Sequence, residues 1–146
     1  MSNNLTTNKP PIWFWVIAVI ALLWNLAGLS AYFMQMGMGE ADLAALPEAE
    51  RTMYEAFPIW ANIAFAVAVF AGTMGCIALL LRKRIALSLF IISLMGIIVQ
   101  QVYIFAVSGI VQLKGMSAMV MPTMVVLFGV FLIWFGRYVI ERGWVR

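Results

Sequence analysis

The sequence predicts an all-α integral membrane protein: an antiparallel four-helix bundle with both termini inside and a short surface helix outside. Three observations carry this expectation. Of 146 residues, 65% are apolar and 10% charged, against roughly 45–50% and about 25% in soluble domains. Four apolar runs, 12–34, 59–81, 85–107 and 122–140, reach the ~20 residues that cross a bilayer. The basic residues gather at one end of those runs. The length suits a single domain, residues 1–146.

The first run follows Lys9 and contains no charge. Its polar start imitates a secretion signal, but about 23 apolar residues exceed the apolar core of a signal and no Ala-x-Ala site follows. It reads as a retained span. Trp13 and Trp15 mark its inner edge, where amphipathic rings favour the interface, while Trp24 falls near mid-membrane.

The first outer loop, 35–57, holds five of the six acids: Glu40, Asp42, Glu48, Glu50 and Glu55. Pro47 suits a first helical turn, and acids favour a helix N-terminus. The spacing predicts a surface helix over 47–56, with Leu46, Met53, Tyr54 and Phe57 on one face. A plain solvated connector is the competing reading.

The second and third runs are joined by an inner turn, Arg82, Lys83 and Arg84, and Trp60 marks the outer edge of the second. The fourth follows a second outer loop, 108–121. Its one charge, Arg137, lies close enough to the inner end to snorkel, beside Trp134 and Trp144. Seven basic residues (Lys9, Arg82, Lys83, Arg84, Arg137, Arg142, Arg146) thus share one side, and only Arg51 and Lys114 lie opposite. The positive-inside rule places both termini in the cytoplasm.

Small or polar residues recur at helical spacing in every run: Ala18, Ala21, Asn25 and Gly28; Ala61, Ala64, Ala68, Gly72 and Gly75; Ala86, Ser93, Gly96, Gln100 and Tyr103; Gly129 and Gly136. Such stripes mark close helix contact in lipid. They serve packing within the chain, or, for Ala64–Ala68–Gly72, a homo-oligomer or another membrane protein. The two halves each end their first span in a Gln-then-Gly-Met stretch, Gln35 to Met38 and Gln112 to Met116, a faint sign of parallel duplication.

The chemistry is defined by absences. There is no histidine and one cysteine, Cys76, so neither a disulfide within the chain nor a zinc spacing exists. No carboxylate lies within a span, where proton-coupled transport would place one. Basic residues sit beside apolar runs rather than on one soluble face, which excludes nucleic acid. Nothing calls for a cofactor, and enzymology is not expected.

Amides remain. At ~1.5 Å per residue, Asn25 and Gln100 lie at similar heights above the inner ends of their spans. Asn62, a turn below the outer end of its own span, is expected at the same depth. Gln101, Tyr103 and Trp24 are close in sequence to this layer. Amides in hydrocarbon seek partners, so the layer is either an interhelical clamp or a binding site for a neutral polar solute. Eight of the 11 methionines lie toward the outer side. Met34, Met36 and Met38 alternate, as a copper(I) thioether site would, but such residues converge only on an extended chain. Adaptable packing is the ordinary role of methionine.

Trp24-Asn25-Leu26-x-Gly28, Tyr32-Phe33-Met34-Gln35, Leu46-Pro47-Glu48 and Gly75-Cys76-Ile77-Ala78-Leu79-Leu80-Leu81-Arg82-Lys83 resemble a group of small bacterial four-span proteins often labelled sugar transporters. The resemblance covers most of the first three spans and rests on packing motifs. It implies solute binding or transport in a bacterial inner membrane, and no functional residue carries over from it. The competing functions are an assembly subunit for other membrane proteins and an outer-face copper handler.

Overall fold

A computed structural model describes residues 9–107 and 109–146. Ser108, the first residue of the expected second outer loop, lies outside the described residues. Among those described, the chain is helical and has no strand. Four helices are long and apolar enough to cross a membrane: α1 (Ile12–Met36), α4 (Ile59–Leu80), α5 (Ile85–Val102) with its continuation, and α7 (Val120–Glu141). Shorter helices lie between them: α2 (Glu40–Ala44), α3 (Glu48–Glu55) and α6 (Ile110–Lys114).

The boundaries follow local chemistry. Prolines 11, 47 and 58 each stand just before a helix, where the missing N–H costs nothing. Helix α3 matches the expected surface helix. Helix α2 was not expected; the N–H of Gly39 donates to Asp42 Oδ2 at 3.0 Å, an anchor on its first turn. After Val102 the backbone widens into a π-helical turn, Tyr103–Val107, a departure frequent at functional sites.

Helix α4 is the centre of the packing. It lies against α1 on one side and α5 on the other, and α5 continues the contact to α7. Its small-residue stripe is what permits this. Ala61, Ala64, Ala68, Gly72 and Gly75 are all buried within the chain. A Cβ on Gly96 of α5 would stand 2.8 Å from the Ala64 carbonyl oxygen and 2.9 Å from the Ala68 nitrogen, so backbone meets backbone there. Ser93 Oγ completes the contact by donating to the Ala68 carbonyl at 2.6 Å. The stripes therefore serve packing within one chain.

A dry core fills the half of the molecule near the chain ends. Phe14, Cys76, Leu79, Phe90, Phe135 and Val139 are essentially without exposure. The turn of residues 82–84 is tied to the C-terminal residues: Arg84 N–H donates to the Arg146 carbonyl at 2.7 Å, and Arg146 N–H donates to the Arg82 carbonyl at 2.8 Å. Arg82 holds a left-handed φ of 57°, and its Nε donates to the Trp144 carbonyl at 2.7 Å. Trp144, expected beside Arg137 at the inner end of the fourth run, turns its ring into the protein. It is buried and packs edge-on to Trp13, Phe14 and Tyr138, because the chain turns back under the helices at Gly143 (φ 74°).

Large apolar side chains point outward along every long helix, among them Leu23, Ile63, Met95 and Leu127, each more than half exposed.

Candidate functional site

Helices α1 and α7 meet mainly through rings. Near the chain ends, Phe14 stacks on Phe135; further along, Trp24 stacks on Phe128 with centroids 4.9 Å apart. Above that stack the two helices stand apart, and a cavity of about 300 Å³ opens between all four long helices. Its floor is Phe90 and Leu132, both buried. Its walls are mostly apolar, with Asn25, Ser93, Gln100 and Gln101 as the polar groups.

Each polar group is held in its own way. Asn25 Nδ2 donates to the Ala21 carbonyl at 2.9 Å and to Cys76 Sγ at 3.3 Å. That fixes the nitrogen as the donor and turns Oδ1 toward Gly72, where any Cβ would collide with it. Glycine at 72 therefore makes room for the amide. Ser93 is committed to the Ala68 carbonyl. Gln101 is 6% exposed, and its Oε1 is buried with no hydrogen-bond partner among the described residues. Gln100 is half-buried and lines both this cavity and a second one.

The second cavity, about 180 Å³, lies toward the loops and shares Gln100 and Ile104 with the first. Gln35, Tyr54, Phe57 and Tyr103 line it. Glu50 and Lys114 stand at its wall and form an ion pair of 3.1 Å that joins the two expected outer loops.

The amide layer is thus only partly assembled. Trp24, Asn25, Gln100 and Gln101 come together at the larger cavity. Asn62 does not join them: its Oδ1 accepts from Gln35 Nε2 at 3.1 Å. Gln35 is ten residues beyond Asn25 on α1, about 15 Å along the axis. The common depth fails because α1, 25 residues long, extends about 37 Å, so a residue one turn from an outer end is far from the middle. Tyr103 packs edge-on to Phe57 and Trp60 instead. Met34 and Met36 lie within α1 and Met38 beyond it. Residues two apart on a helix diverge, so the extended exit that a thioether site requires is not formed.

Sequence reasoning missed Gln35, Gly72 and Ser93 as site or partner residues. Gly72 and Ser93 were legible as small residues in the stripes, but the stripe pattern alone does not separate packing from cavity lining. The chain matches no family model, no curated protein and no solved structure.

Proposed function

We propose that the chain spans a bacterial inner membrane as an antiparallel four-helix bundle with both termini in the cytoplasm, and that it binds a small neutral molecule without catalysing a reaction. Membrane insertion is supported by the outward-facing apolar side chains, which would form a far larger exposed patch than a soluble monomer carries. The seven-to-two distribution of basic residues supports the orientation.

One observation carries the binding reading: the cavity between the four helices, with the amide side chains of Asn25, Gln100 and Gln101 on otherwise apolar walls. Ligand sites combine apolar lining with a few placed polar groups in this way. The floor of Phe90 and Leu132, with Phe14 and Phe135 in the core beneath it, supports binding over open passage, since transport would require that layer to move. The small-residue stripe of α4 is buried within the chain, so an assembly subunit would have to use the methionine-rich surface, where Met34, Met116 and Met121 are exposed.

Native mass spectrometry of protein released from mild detergent tests the proposal. One small-molecule adduct per chain is expected, and Val125→Phe, which fills the cavity, is expected to remove it. A chain that carries no adduct under any mild condition would count against it.

A further inference from the structure

The walls of the larger cavity say what kind of molecule fits. The polar atom they leave unmet is an acceptor, Gln101 Oε1, and Gln100 adds a half-buried amide. Asn25 spends its Nδ2 on the Ala21 carbonyl and Cys76 Sγ, and its Oδ1 is seated against Gly72. Gln101 presents an Oε1 that is buried and unpartnered among the described residues. A buried acceptor without a donor costs about 1–3 kcal/mol, so a molecule that donates a hydrogen bond there recovers what the fold leaves unmade. Ser93 has already given its proton to the Ala68 carbonyl.

The remaining lining is apolar and rich in rings. Trp24, Phe65, Phe90 and Phe128 surround the space, and flat faces of this kind favour stacked or edge-on aromatic partners. The slot between α1 and α7 is edged by Ala27, Ala31 and Met121, all exposed, so the cavity opens sideways onto the surface that the membrane reading assigns to lipid. A monosaccharide fits this poorly. Its roughly five hydroxyls would outnumber the four polar side chains of the walls, Asn25, Ser93, Gln100 and Gln101, and each one left unpaired costs on the order of 1–3 kcal/mol.

We infer that the cavity takes a neutral, largely apolar ring compound with a single hydrogen-bond donor, of the phenol or aryl-alcohol class, with the donor on Gln101 Oε1 and the ring beside Trp24. This rests on the binding reading proposed above and narrows it to a ligand class.

The test uses the full chain in lipid nanodiscs and a pair of probes, 4-bromophenol and 4-bromoanisole, in which a methyl group replaces the donor hydrogen, with affinities compared after correction for partition into protein-free nanodiscs. Bromine quenches indole emission, and the difference between wild type and Trp24→Phe isolates the signal of Trp24. Saturable quenching by the phenol is expected, at least tenfold tighter than by the anisole and unaffected by excess glucose. Gln101→Met should reduce the phenol to the level of the anisole and leave the anisole unchanged. Equal affinity for the two probes in wild type would overturn the donor assignment and leave the cavity as a binding site. Displacement of either probe by glucose would overturn the ligand class while supporting the site. Absence of saturable quenching by both probes, with native helicity by circular dichroism and glucose causing no shift in melting temperature, would overturn the ligand class and the binding reading together. The probe comparison in wild type decides the matter even if Gln101→Met does not fold.

Discussion

The side-chain amide of Asn25 bridges α1 and α4: its Nδ2 donates to Cys76 Sγ at 3.3 Å while holding the Ala21 carbonyl of its own helix at 2.9 Å. Thiol sulfur is a weak acceptor, so the bridge contributes at the low end for hydrogen bonds in membranes, which average about 0.6 kcal/mol. Asn25→Leu is expected to lower unfolding free energy by about that much and to abolish ligand retention, as read by thermal unfolding and native mass spectrometry. A loss well above the roughly 1.7 kcal/mol ceiling, with retention intact, would make the amide a clamp.

Glycines 28 and 72 give a paired prediction. A Cβ on Gly72 would collide with Asn25 Oδ1 and stand 3.0 Å from Ser93 Oγ, whereas a Cβ on Gly28 would meet only Val69 Cγ1 at an ordinary 3.5 Å. Gly72→Ala should therefore cost about 1–3 kcal/mol, the usual range for overpacking, and Gly28→Ala close to nothing. Steric-trap or denaturant unfolding in detergent measures both. Equal effects would show that Asn25 is not seated against Gly72.

Much of this was legible beforehand, and the reasons for what was not are physical. The long helices begin and end within about two residues of expectation, because proline, charge and loss of apolar character coincide at their ends. Helix α3 was legible from Pro47 and the acids after it. Helix α2 and α6 are five residues each, too short for a periodic pattern to declare itself. The site was legible in part. Amides in apolar runs had to face inward, and Asn25, Gln100 and Gln101 do. Which amides meet depends on helix length and stagger, so Asn62 was assigned to the wrong level and its bond with Gln35 was missed. The inward packing of Trp144 was not legible, because a ring just past a helix end faces outward unless the chain turns back, and Gly143 makes it do so.

Topology is open to direct labelling. In a Cys76→Ala background, cysteine introduced at Glu50 should react with an impermeant thiol reagent in intact spheroplasts, and cysteine introduced at Lys83 should not. The reverse pattern would invert the orientation argued from the basic residues.

The methionines of the first outer exit are expected to leave copper(I) unbound. Met34 and Met36 are exposed on a helix, where their thioethers diverge. Purified protein should fail to compete with a chelator of moderate affinity. Sub-micromolar binding lost in Met34→Leu and Met36→Leu would require the end of α1 to unwind.

The most direct measurement is an experimental structure of the chain in lipid nanodiscs, made from the membranes in which it was expressed. The predicted result is non-protein density in the cavity between Trp24, Asn25 and Gln101, within hydrogen-bond distance of Gln101 Oε1, and acyl chains along the outward apolar faces. A cavity closed by its own side chains, with Trp24 collapsed onto Phe65 and Gln101 Oε1 bonded to protein, would contradict it.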